Sequence, residues 1–113
     1  MDLAELAERI AAREATAYLV TLGAERPHVV SVSPTVAGGT IVVGAGRKTA
    51  ANATERPAVT LLWPVDAADP RHSLLVDGTA VASADGETLT VTPTGAILHR
   101  VRAGSGAEAG PAL

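Results

Sequence analysis

Two glycines, two cations and the start of a short helix meet in one stretch, GAGRKTAANATERP, from Gly44 to Pro57. The β-branched residues Ile41, Val42 and Val43 just before it read as a strand. Gly44 and Gly46 loosen the backbone, Arg47 and Lys48 bring charge, and Thr49 to Glu55 has the composition of a short helix. Pro57 stops it, and a new apolar strand begins. The first turn of a helix leaves backbone N–H groups without acceptors. Those donors and the helix dipole stabilise an anion at that end, and the two cations strengthen the case for a phosphate. The other use of the same residues is a glycine turn whose Arg47 and Lys48 sit in water.

Other chemistry is thinner. His28, His72 and His99 lie far apart and lack the tight spacing of a metal site. No Ser–His–Asp grouping can be argued from spacing. A Walker A loop needs Gly directly before its Lys, and here that position is Arg47. Strands follow strands without a βαβ crossover, which excludes a doubly wound dinucleotide fold. Any chemistry is therefore expected from a bound cofactor.

The elements that position this stretch can be read in order. Leu3, Leu6, Ala7 and Ile10 keep the i, i+3, i+4, i+7 spacing of one buried stripe, which predicts a helix from Asp2 to about Arg13. Asp2 is its expected N-cap. Glu5, Arg9 and Arg13 stand four apart, on the wet side, where they can pair. Strands are expected at 16–22, 27–34, 40–43, 58–63, 73–83, 87–92 and 96–101. The first has two apolar faces, Tyr18, Val20 and Leu22 against Ala17, Leu19 and Thr21, so both are expected to be covered. In the second, His28, Val30 and Val32 share one face; Val29, Ser31 and Ser33 share the other. Gly38-Gly39 and Asp85-Gly86 are hairpin signals, and 65–72 is a loop. Gly78 inside the long fifth strand predicts a bulge or bend of the kind a curling sheet needs. Residues 1–102 then form one domain, and 103–113 read as a flexible tail. Tight turns between short strands point to an antiparallel barrel or sandwich.

Composition bounds the partners. A chain of 113 residues suits a single domain. With 2% aromatic residues and no Phe, its core must be built from Val, Leu, Ile and Ala. Such side chains bury less area each, which favours association with a second copy. Trp63, the sole Trp, suits either the core or an interface. A net charge of −3 argues against nucleic-acid binding through a broad basic surface. The absence of Cys excludes disulfides and thiolate metal sites and is compatible with a reducing compartment. The N-terminal residues are charged throughout, unlike a signal peptide. No apolar run approaches the roughly 20 residues of a membrane helix. A cytoplasmic protein without a membrane partner is expected.

The order of these features resembles the pyridoxamine 5'-phosphate oxidase-like family of flavin-binding split barrels, over residues 14–101. The matching parts are AYLVTLGAERPHVVSVSP, TIVVGAGRKTAANATERPAVTLLW and HSLLVDGTAVAS. The specific part is the centre, where Lys48, Asn52 and Pro57 fit the family's cation, short helix carrying Asn, and Pro before a Val-rich strand. The resemblance implies an antiparallel split β-barrel, mainly β with small helices, that forms a homodimer with FMN at the interface. It implies a phosphate near Arg47, Lys48 and Thr49, with Asn52 close by. The flavin ring would lie near Val30, Ser31, Val32 and Ser33 and near Val43, Gly44, Ala45 and Gly46. The full-length oxidase carries a C-terminal segment over its substrate that this shorter chain lacks, so the substrate is a small molecule left open. Deazaflavin, haem or no cofactor are the alternatives within the wider family, the last as a non-catalytic binding module.

Overall fold

The computed structural model describes residues 1–102. The expected tail at 103–113 lies outside the described residues. Helix α1 (Leu3–Ala11) is capped by Asp2, whose carboxylate accepts the Glu5 N–H at 2.8 Å. Leu6 is buried in the core and Ile10 packs against it. The helix ends at Ala11, two residues earlier than the stripe suggests, and that changes the part played by Arg13. Arg13 is not on a wet face with Glu5 and Arg9. Its side chain is only 5% exposed and donates to the carbonyl oxygens of His72 at 2.7 Å and Pro64 at 3.3 Å. It also meets the Asp69 carboxylate at 3.4 Å.

The loop that Arg13 grips is organised by two aspartates. Asp66 accepts the N–H groups of Asp69, Ala68 and Glu14. The first of these does most to hold the Asp66 carboxyl below its ordinary value, against a partial loss of solvation. At Asp69 the loss of solvation is the largest single influence and pushes the carboxyl up. Hydrogen bonds from the Arg71 N–H and from His72 together outweigh it, and the net shift is downward.

Seven antiparallel strands form one sheet: β1 (Ala17–Leu22), β2 (Pro27–Val32), β3 (Thr35–Ala37), β4 (Thr40–Gly44), β5 (Ala58–Trp63), β6 (His72–Ala82) and β7 (Thr88–Arg100). Their spatial order is β2-β1-β5-β6-β7-β4-β3. Helix α2 (Arg47–Glu55) sits between β4 and β5 in the chain and packs on β6 and β1. The sheet curls into a split barrel whose inner face carries Leu19, Ile41, Val43, Leu61, Leu74, Val76, Leu89 and Val91. Trp63 belongs to this core, at 2% exposure.

Two strand assignments differ from the sequence reading. β3 is an extra strand, folded back on β4 through the Gly38-Gly39 turn. The separate strands expected at 87–92 and 96–101 are one strand, β7, which continues through Pro93 and Gly95. The reason is a bulge. Asp77 faces Gly95 but Gly78 faces Pro93, so Thr94 is left over. A proline lacking its N–H is tolerated at such a point. Gly78 is required there by space, since a Cβ would stand 2.6 Å from Val91 Cγ1 and 2.7 Å from the Thr92 oxygen.

Among the described residues, the apolar outer row of the sheet is only partly covered. On the outer face the ladder aligns Tyr18 with Leu62, Leu62 with Leu75 and Leu75 with Ile97. Tyr18 is 40% exposed and Ile97 57%, so among the described residues the expected cover on both faces of β1 is not present. Among the described residues no helix is long and apolar enough to cross a membrane.

Candidate functional site

β2 and β4 have four strands between them in the sheet order, yet the curl of the sheet brings both to one cleft of about 560 Å³. One wall is His28, Val30, Ser31, Val32 and Ser33, along β2 and just beyond it. The other is the end of β4 and the start of α2: Gly44, Ala45, Gly46, Arg47, Lys48 and Thr49. Apart from His28, these are residues singled out in the sequence, and two others singled out there, Val43 and Asn52, lie outside the cleft. Val43 is 1% exposed and turns its side chain into the core. Asn52 lies a turn further along α2, where its Nδ2 donates to Thr21 Oγ1 at 3.3 Å. It lines an adjoining pocket rather than the cleft.

The donors at the helix start can be accounted for one by one. The Ala45 N–H is already taken by the Glu87 carbonyl at 2.8 Å, so that part of the segment is not free. The first bond of α2 runs from the Ala50 N–H to the Gly46 carbonyl at 3.0 Å. Gly46 is the N-cap and has no side chain to offer. The N–H groups of Arg47, Lys48 and Thr49 therefore have no acceptor among the described residues. Arg47 and Lys48 are exposed and form no ion pair among the described residues. An uncapped helix start, two unpaired cations and two serines on the facing wall make a cleft suited to an anionic, partly apolar ligand.

His28 is the site residue that sequence reasoning missed. It is half-buried and lines the cleft. The signal was available, since His28 shares its strand face with Val30 and Val32. His72 lies elsewhere, at the start of β6, with Nδ1 3.1 Å from Asp69 Oδ1, and His99 is on β7 opposite Ser73. Among the described residues no group of three His, Asp or Glu is placed to hold a metal ion. An apolar hollow of about 370 Å³ between α1 and the β3–β4 turn offers only aliphatic side chains, Thr40, glycines and Pro93.

Solved structures share this fold. A candidate pyridoxamine 5'-phosphate oxidase from Listeria innocua superposes with a TM-score of 0.68 at 14% identity, covering 86% of this chain and 98% of that one. An F420 reductase gives 0.64 at 18% identity, over 80% and 94%. A FAD-binding protein from Mesorhizobium loti gives 0.66 at 12%, over 82% and 89%. The haem storage protein HutZ of Vibrio cholerae gives 0.62 at 16%, over 87% and 95%. The fold is the split barrel of the pyridoxamine 5'-phosphate oxidase-like proteins. No family model matches the sequence. Two uncharacterized proteins, from Mycobacterium bovis and Mycobacterium tuberculosis, are each 40% identical over 101 residues, spanning 74% of this chain and 70% of theirs. The chain belongs to the same family as these two mycobacterial proteins.

Proposed function

We propose that this protein binds a flavin-type cofactor in the β2–β4 cleft and uses it for redox chemistry on a small molecule. The observation that carries the reading is the uncapped start of α2, with Arg47 and Lys48 beside it, opening into a cleft of about 560 Å³. That volume falls within the usual range for a small-molecule site, roughly 300–1,000 Å³. FMN is the simplest ligand that meets these groups. Its phosphate would be held by Lys48, Arg47, the Thr49 hydroxyl and the N–H groups of Arg47, Lys48 and Thr49. Its ring would lie against Val30, Ser31, Val32 and Ser33 and the backbone of Val43 to Gly46. Asn52 would act from behind, fixing α2 to Thr21. A bound flavin would supply hydride or electron transfer, and the protein would supply position and electrostatics. Among the described residues His28 is the one titratable side chain on the cleft wall besides the two cations, and so the candidate for handling a proton there.

A homodimer belongs to the same proposal. The row Tyr18, Leu62, Leu75 and Ile97 is an apolar strip on which, among the described residues, Leu62 and Leu75 are half-buried and Tyr18 and Ile97 are exposed. Ser31, opposite Tyr18 in the ladder, also lines the cleft, so a second copy on that face would stand beside the cofactor. A cytoplasmic setting accords with the absence of Cys. The second reading is a deazaflavin coenzyme, favoured by the likeness to the F420 reductase fold. Titration with FMN and with riboflavin, which lacks the phosphate, tests the first reading. Binding of neither at micromolar concentration would leave the deazaflavin or a non-catalytic module in its place.

A further inference from the structure

The cleft does not end at Lys48. Beyond that side chain a second pocket of about 430 Å³ opens between the β1–β2 turn and α2. Lys48 and His28 line both hollows, and Arg26, Glu25 and Asn52 complete the polar lining of the second. Its walls are tied together. Asn52 Nδ2 donates to Thr21 Oγ1, and Arg56 Nη1 donates to the Leu22 carbonyl, each at 3.3 Å. The turn closes on itself through the Gly23 N–H and the Arg26 carbonyl at 3.0 Å. A Cβ on Gly23 would stand 2.6 Å from that Arg26 oxygen, so the tight turn needs glycine there.

Neither Arg26 nor Lys48 forms an ion pair among the described residues. Among the described residues Glu25 is the one carboxylate on the pocket wall and opposes an anion, while two cations, Arg26 and Lys48, share that wall. Resting on the reading that a flavin phosphate sits at Lys48, we propose that this pocket is a second anion subsite. It takes the distal phosphate of a flavin carrying a diphosphate. The second phosphate is one bridging oxygen from the first, so a ligand anchored at Lys48 brings it to the pocket mouth. Arg26 meets it with the planar donor fork that suits phosphate. The remaining volume, beside Asn52, receives the group attached beyond. FMN ends at its first phosphate and makes none of these contacts.

The test is calorimetric titration of the wild type, Arg26→Ala and Glu25→Gln with FMN and with FAD. The wild type is expected to bind FAD about 10-fold or more tightly than FMN, from hydrogen bonds to a charged group. Arg26→Ala should remove that advantage and leave FMN affinity within about twofold, since only the second phosphate is affected. Glu25→Gln should tighten FAD and leave FMN unchanged. Arg26 is exposed and its backbone bond persists in the variant, so the fold is not at stake. If FMN binds but FAD binds no more tightly, or Arg26→Ala weakens both alike, the second subsite is refuted while the flavin reading stands. If neither flavin binds, both fall.

Discussion

Replacing Arg13 by Ala removes a buried guanidinium that joins the end of α1 to the loop between β5 and β6. Its bond to the His72 carbonyl, at 2.7 Å, is the strong one. Hydrogen bonds from a charged donor contribute roughly 1.5–3 kcal/mol. The contacts to Pro64 at 3.3 Å and Asp69 at 3.4 Å are long, and the Asp69 side chain is 32% exposed, so water compensates most of their loss. The buried methylenes of Arg13 add about 0.8 kcal/mol each. Freeing a side chain with about 2 kcal/mol of rotamer entropy offsets much of that. The net expectation is a destabilisation of about 2 kcal/mol, or about 8–16 °C in thermal midpoint for a domain of this size. Arg13→Lys keeps the charge and stem but cannot span the same partners, and should lose about half as much. Urea unfolding of the three proteins, at one protein concentration because association shifts the midpoint, measures this. An Arg13→Ala variant within about 0.5 kcal/mol of wild type, the scatter of ordinary surface changes, would show that Arg13 does not hold the loop.

Three further outcomes are expected. Gly78→Val places a side chain where even a Cβ meets Val91 Cγ1 at 2.6 Å, and overpacking of that kind costs about 1–3 kcal/mol; unchanged unfolding in urea would mean the bulge has room to spare. The lowered carboxyls of Asp66 and Asp69 contribute stability that is fully present above the usual carboxylate value of 3.8 and is lost as pH falls through their depressed values. The thermal midpoint should therefore fall below about pH 4, and Asp66→Asn with Asp69→Asn should flatten that part of the profile. Light scattering should give a mass near twice the 11.3 kDa chain, and Ile97→Glu, on the exposed outer row, should give a folded monomer; a wild-type monomer at micromolar concentration would remove the dimer.

The cleft was legible because its signal is local. A β-branched run, two glycines, two cations and a short helix before Pro57 specify a strand leading to an uncapped helix start, whatever the sheet does around them. Gly78 was legible for a similar reason, since a glycine inside a long alternating strand has few uses other than a bulge. The misreadings involve partners distant in the chain. Pro93 and Gly95 look like strand ends, and only the bulge opposite Gly78 lets β7 run through them. β3 is three exposed residues and carries no alternation to notice. Arg13 keeps helical spacing from Arg9, but the helix stops at Ala11 and the side chain finds acceptors more than 50 residues away. The apolar outer face of β1 was visible, but the sequence does not say whether its cover comes from this chain or from another.

The central claim is that a flavin phosphate meets Lys48 at the uncapped start of α2. A titration of wild type and Lys48→Ala with FMN and riboflavin, followed by quenching of flavin fluorescence, tests it most directly. Loss of a charged hydrogen-bond donor, roughly 1.5–3 kcal/mol, predicts FMN binding about 10- to 150-fold weaker in the variant, with unfolding unchanged. Riboflavin should bind weakly to both proteins and scarcely respond to the substitution. Equal FMN affinity in the two proteins, or a wild type that prefers FMN over riboflavin by nothing, would contradict the assignment.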